Sequence, residues 1–167
     1  MELRFTNGAT IKHLNIRKEG DEHSKEVAVD IKLSGEAFAG DWIDKILGTE
    51  PRQSLQYFWT KPPASDEYEA IFTGISAIKS WAFFKGCTLT YGGLRLIGEA
   101  KKFEFKPCGN LAADVTFTMS VLNPHKNDVN VLAEMVQEDA KCELEFPSDC
   151  LIATAKWISR LRELRNG

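Results

Sequence analysis

Apolar and polar residues alternate with a period of two along much of this chain, and such alternation is typical of half-buried β-strands. Residues 27–34 show it most clearly, with an apolar face made of Val27, Val29, Ile31 and Leu33. Residues 102–106 and 114–121 repeat the pattern. Tight turns between the predicted strands are expected at Asn7-Gly8, at Gly92-Gly93 and at residues 107–110.

Two short stretches have helical spacing instead. Residues 41–47 and residues 128–139 each place four apolar side chains on one helical face. Asp41 is the expected N-cap of the first helix, and Asn127 or Asp128 that of the second. We expect both helices to cover a mostly antiparallel sheet of about seven or eight strands, folded as a sandwich or a partly closed barrel.

The longest predicted helix lies at the end of the sequence. Residues 148–165 follow Pro147 and carry an apolar stripe opposite a basic side. The predicted fold is therefore α+β and β-rich, with two short helices and one longer C-terminal helix. Residues 1–147 form the β-rich body, and residues 148–167 form an amphipathic helix that either belongs to the same domain or serves as an assembly arm.

This C-terminal helix is the predicted interface with a protein partner or with a second copy of the chain. A tryptophan is a common anchor of such interfaces. The residues expected there are Trp157, Ile158, Arg160, Leu161 and Leu164. Packing within the monomer is the alternative, and the modest stripe matches a membrane-surface helix less well. We expect a homo-oligomer that makes no membrane contact.

Composition narrows the class of protein. The chain has 167 residues, of which 43% are hydrophobic, as expected for one globular domain. The net charge of −3 is too small to imply a strongly basic nucleic-acid surface. No apolar run of about 18 residues occurs, and the first residues lack the apolar stretch of a signal peptide. The sequence therefore favours a cytoplasmic protein.

No familiar catalytic or cofactor motif occurs in the sequence. A P-loop, a dinucleotide-binding glycine motif, a nucleophile elbow and a zinc-protease motif are all absent. The four cysteines form no Cys-x-x-Cys pair and lie far from the histidines, so we expect free thiols and no metal. We predict no cofactor and no catalytic residue, although an enzyme that pairs Cys87 or Cys108 with a histidine stays open.

Aromatic residues with lysines beside them form the second candidate site. Residues 57–59 and 81–84 are mostly aromatic. Alternation would place Tyr57 and Trp59 on one face of a strand, where bases of single-stranded nucleic acid could stack. The residues expected to contact nucleic acid are Tyr57, Trp59, Lys61, Lys79 and Lys85. Core packing is the more common role of such aromatics, and Lys101-Lys102 beside Phe103 presents the same alternatives.

The chain resembles small β-rich accessory proteins encoded by tailed bacteriophages and prophages. The resemblance is carried by residues 27–35, by residues 94–107 and by the helix at 131–137, and it covers about the first 145 residues. It implies a cytoplasmic role in an infected bacterium. We therefore expect a non-enzymatic phage protein that binds a host or phage macromolecule, for example in counter-defence. The alternative is a single-stranded nucleic-acid-binding module of phage recombination or replication.

Overall fold

The computed structural model describes residues 1–21, 26–71 and 77–148. Within them the chain forms ten strands and three helices. In chain order they are β1 (Glu2–Glu19), β2 (Glu26–Phe38), α1 (Asp41–Leu47), α2 (Gln53–Phe58), β3 (Trp59–Thr60), β4 (Glu69–Ala70), β5 (Ile78–Lys79), β6 (Phe84–Tyr91), β7 (Leu94–Cys108), β8 (Ala112–Leu122), α3 (Lys126–Glu134), β9 (Asp139–Ala140) and β10 (Cys142–Glu145).

Six of these strands close into an antiparallel barrel. Their order is β1-β2-β8-β7-β6-β10, and β10 returns to β1 with Leu144 opposite Leu3. Strand β9 also pairs with β1, and β5 pairs with β7, while β3 and β4 form a separate two-stranded sheet. The β-rich antiparallel fold predicted from the alternation is confirmed, and the barrel is the form it takes. Closure pairs both edges of the main sheet.

The alternating apolar residues fill the barrel. Val29, Ile31 and Leu33 are fully buried, and so are the inward-facing residues of β8 from Val115 to Met119. Aromatic rings occupy the middle of the barrel, where Phe103 stacks on Phe117 with ring centroids 5.4 Å apart. Rings at this separation gain energy from their geometry as well as from burial. The outward faces carry mostly polar side chains, with exposed apolar exceptions at Ile16, Ile97 and Leu122.

The prediction of a hairpin turn at Asn7-Gly8 is wrong. Strand β1 continues through these residues, and its register with β2 shifts between Phe5 and Ala9. Gly8 has a φ of 80°, and a Cβ added there would lie 2.5 Å from the carbonyl oxygen of Ala140. Glycine is therefore needed for an irregularity in a long strand that passes close to β9, and no chain reversal occurs. The turns at Gly92-Gly93 and at residues 107–110 are confirmed.

The predictions of helices are correct in part. Helix α1 has the predicted bounds, but its N-cap position is held by Gly40 and Asp41 is its first residue. Helix α3 ends at Glu134, well before the predicted end, because β9 begins at Asp139. His125, and neither Asn127 nor Asp128, occupies its N-cap position. Helix α2 was not expected, and the predicted C-terminal helix lies outside the described residues.

A buried carboxylate joins α1 to α2. Asp44 Oδ1 accepts hydrogen bonds from the Thr49 hydroxyl at 2.9 Å and from the amide and hydroxyl of Ser54 at 2.9 and 2.5 Å. Its Oδ2 accepts from the amide of Arg52 at 3.1 Å, where the backbone has a φ of 66°. These bonds replace the side-chain cap that α2 lacks. One acidic side chain therefore fixes the path of residues 49–54.

Replacing this carboxylate should destabilise the protein strongly. Asp44→Ala leaves several buried donors without an acceptor, so we expect a loss of about 3 kcal/mol in the free energy of unfolding, measured by urea denaturation. Asp41→Ala, in the exposed first turn of the same helix, should cost about 0.5 kcal/mol and serves as the control. Equal losses in the two variants would contradict the assigned role of Asp44.

Candidate functional site: two joined grooves on the barrel wall

A β-bulge in β7 places two consecutive lysines on the outside of the barrel. Lys101 is opposite Thr118 and Glu104 is opposite Thr116. Between these two pairs β7 advances by three residues and β8 by only two, so β7 contains one extra residue. Lys102 takes the left-handed conformation, with a φ of 55°, and is exposed. Phe103 then returns to the interior. Bulges often redirect side chains in this way at binding sites.

The strand register aligns these lysines with further polar residues. Lys101 lies opposite Thr118, Thr118 opposite Lys32, and Lys32 opposite His13, which gives one row across four strands. This row lines a groove of about 280 Å³, which we call the polar groove. Its other lining residues are Asn15, Asp30, Lys102, Glu104 and Thr116.

A second groove of about 350 Å³ lies on the other side of the bulge. We call it the aromatic groove, because Trp81 and Phe83 line it with 93% and 62% of their surfaces exposed. The segment that carries them is held in place by Ser80, whose amide donates to the carbonyl of Phe103 at 2.9 Å and whose hydroxyl donates to the carbonyl of Ile46. The aromatic exposure is therefore fixed by the fold.

The two grooves share a wall, and it is charged. Lys101, Lys102 and Glu104 line both of them. Each carboxylate nearby faces a cation: Glu104 lies 3.9 Å from Lys79, Glu99 lies 4.0 Å from Lys101, and Asp30 is held by Arg17. Lys32 and Lys102 have no ion-pair partner among the described residues. Lys32 and Lys102 are therefore the cations of the joined grooves that have no ion pair, while Asp30 shares Arg17 with Glu19.

Asp30 is the most strongly held of these carboxylates. It accepts two hydrogen bonds from the Arg17 guanidinium, at 2.8 and 3.3 Å, and one from the Ser120 hydroxyl at 2.5 Å. Partial burial acts to raise the pKa of Asp30, but the bonds from Arg17 and Ser120 outweigh it and hold the pKa below its usual range. Asp30 therefore stays ionised beside Lys32 and closes one side of the polar groove.

This lowered pKa makes a stability contribution that depends on pH. It is fully present above the unfolded-chain value of about 3.9 and is lost as the pH falls through the lower folded-state pKa. Asp30→Asn should therefore lower the free energy of unfolding by about 1 kcal/mol at pH 7, and the difference should vanish in acid. Denaturation curves from pH 7 downwards measure it, with Asp66→Asn in an exposed loop as the control. A difference that persists in acid would contradict the role of Arg17 and Ser120.

The left-handed conformation of Lys102 should cost the protein stability. A residue with a side chain is strained by about 1–2 kcal/mol in this backbone conformation, whereas glycine adopts it without strain. Part of that advantage is offset because the unfolded chain has more conformational entropy with glycine at this position. We expect Lys102→Gly to raise the free energy of unfolding by roughly 0.5 kcal/mol. Thermal and urea denaturation test this, with Lys106→Gly in the same strand expected to be destabilising. A destabilised Lys102→Gly variant would show that the lysine side chain supports the fold.

The residues predicted to contact nucleic acid are dispersed by the structure. Trp59 is 3% exposed and donates its indole N–H to the carbonyl of Cys108 at 2.7 Å, so it is a core residue and cannot stack on a base. Tyr57 is 55% exposed, but it lies in α2, so the strand expected through residues 57–59 is wrong for residues 57 and 58, and only Trp59 lies in a strand, β3. The helix forms because the Asp44 network fixes the start of α2.

The three predicted lysines are also separated. Lys79 lines the aromatic groove, whereas Lys61 and Lys85 line neither groove. The interface residues expected in the C-terminal helix, Trp157, Ile158, Arg160, Leu161 and Leu164, lie outside the described residues. Their role in a protein interface stays a prediction.

The thiols are poorly suited to nucleophilic attack. Cys87, one of the two candidate nucleophiles, is fully buried, and its thiol donates to the carbonyl of Phe84 at 3.3 Å. Burial raises the pKa of Cys142 to about 12. Burial and the nearby Asp114 carboxylate raise the pKa of Cys108 as well. A thiol that stays protonated at neutral pH is a weak nucleophile. Within the described ranges, no three histidine, cysteine or acidic side chains gather as a possible metal site.

No family model, curated protein or solved structure matches this chain. None of the helices in the described part of the chain has the length and apolar character needed to span a bilayer.

Proposed function

We propose that this protein acts by binding rather than by catalysis, and that its ligand is single-stranded nucleic acid held in the joined grooves. The observation that carries this proposal is the exposure of Trp81 and Phe83 beside Lys102, which has no ion-pair partner among the described residues. Exposed aromatic rings stack on bases, and lysines attract phosphates. Both elements of a single-strand site therefore occur side by side.

Unpaired bases suit this surface better than a duplex. A stacking ring must reach the face of a base, and in a duplex that face is covered by the neighbouring base pairs. The surface has no broad basic patch, since its carboxylates offset most of its cations. Binding should therefore be modest, sensitive to salt and dependent on stacking.

The setting implied by the resemblance to phage proteins fits this role. Replication and recombination expose single-stranded nucleic acid in an infected bacterium. A small barrel that binds these strands would suit the role of a phage accessory protein. The barrel itself is no evidence of this activity, because the same architecture serves many functions. The proposal depends on the grooves.

A protein partner is the second candidate, and a different surface favours it. Ile97 in β7 and Leu122 in β8 are 63% and 50% exposed on the outer wall. The two strands are paired, with Glu99 opposite Ser120, and each of the two apolar residues lies two positions from this pair. Exposed apolar side chains mark a protein interface when they belong to a larger apolar patch, and these two residues would form the start of such a patch. This candidate agrees with the first expectation from the sequence, a partner protein or a second copy of the chain.

Removing the exposed tryptophan tests the first proposal. Trp81→Ala should weaken binding of a labelled oligothymidylate about tenfold at low salt, because one stacking contact is worth about 1–3 kcal/mol. Fluorescence anisotropy measures the change. Tyr57→Ala is the control: it removes another exposed aromatic ring, one that lines neither groove, and this variant should bind as the unmodified protein does.

The absence of binding at low salt would contradict the nucleic-acid proposal, since phosphate contacts strengthen as salt falls. Equal weakening by Trp81→Ala and Tyr57→Ala would contradict the placement of the site. Only the first result would leave a protein partner on the Ile97 and Leu122 surface as the better account, because the second would still show that the oligonucleotide binds.

A further inference from the structure

We infer that the polar groove is the phosphate-binding part of this site and that the row Lys101, Thr118 and Lys32 holds the backbone of the strand. This inference rests on the proposed function, and it adds the path of the ligand. The bases stack at Trp81 and Phe83, and the phosphates cross β7, β8 and β2 towards β1.

The chemistry of the row suits a phosphodiester. Thr118 lies between Lys101 and Lys32 in the strand register, and within the described residues its hydroxyl forms no hydrogen bond. Lysines two strands apart stand about 10 Å from each other, which leaves room for a bound anion between them. The Thr118 hydroxyl, with Lys32 on one side and Lys101 on the other, offers donors to non-bridging phosphate oxygens, although the Lys101 ammonium also lies 4.0 Å from Glu99.

The electrostatics of the groove favour an anion in spite of its carboxylates. Asp30 is engaged by Arg17 and Ser120, and Glu104 faces Lys79 across 3.9 Å. Lys32 and Lys102 have no ion pair, as described above. Because the acidic groups are already paired and the two lysines are not, an incoming anion meets net attraction.

The geometry also sets the number of nucleotides that the joined grooves can hold. Lys101 and Lys102 line both grooves, so a single ligand can contact the aromatic rings and the polar row together. Three strand spacings separate β7 from β1, or about 14 Å. This length, added to the stacking site, corresponds to a footprint of about four nucleotides, at the small end of the range for single-strand-binding barrels.

Titration of an oligothymidylate of about ten nucleotides, with the full chain and its variants, tests the inference. Lys32→Gln should weaken binding severalfold and lower the slope of log affinity against log salt by about 0.7, because one fewer phosphate is neutralised. Thr118→Val should weaken binding with no change of slope. Lys61→Gln is the matched control, an exposed lysine that lines neither groove and should alter neither quantity.

A second probe separates the phosphate row from the stacking site. Inorganic tripolyphosphate has no base, so it should compete with the oligonucleotide in unmodified protein and in Trp81→Ala, and it should compete poorly in Lys32→Gln. Polyglutamate tests whether any polyanion suffices, and we expect it to compete much less. Thermal denaturation confirms that each variant is folded.

The outcomes distinguish the two claims. If Trp81→Ala weakens binding while Lys32→Gln behaves as Lys61→Gln does, the proposed function stands and the phosphate row is wrong. If the oligonucleotide does not bind at all, both fail. Equal competition by polyglutamate and tripolyphosphate would overturn the inference of a phosphate site, because it would show only a general attraction of anions.

Discussion

The β-bulge at Lys101 and Lys102 is the constraint on which the binding surface depends. Without the extra residue, regular alternation after the buried Ala100 would turn Lys102 inward and Phe103 outward. With it, both lysines stay outside and Phe103 packs in the barrel against Phe117. The same irregularity therefore completes the aromatic core and joins the two grooves. A single local departure from strand geometry serves both stability and the proposed site.

The strain at Lys102 supports a functional interpretation of the bulge. Glycine would suit its left-handed backbone better, although Lys102 shares a positive φ with other non-glycine residues, such as Arg52 and Leu111. A residue kept in a conformation it disfavours often serves a purpose other than stability. Here the side chain extends the charged wall between the grooves. The closed barrel can tolerate this cost because its core is extensively packed.

The fold was largely predictable because every second residue of a half-buried strand is apolar, as at Val29, Ile31 and Leu33. The site was less predictable because it depends on register between distant strands, and nothing local shows that Lys32 lies in the same row as Thr118 and Lys101. One signal was present: inward positions at Ala100 and Phe103 are three residues apart instead of two, which indicates a bulge. The burial of Trp59 could not be predicted from its neighbours in the sequence, because its indole donates to the carbonyl of Cys108, 49 residues further along the chain.

Mapping of the bound surface by NMR tests the central claim most directly. Amide and indole resonances of labelled protein would be followed during titration with a single-stranded oligonucleotide at low salt. The account predicts shifts at Trp81, Lys101, Lys102, Thr118 and Lys32, and little change in residues 57–71. Shifts confined to other surfaces, or no shifts at all, would contradict it.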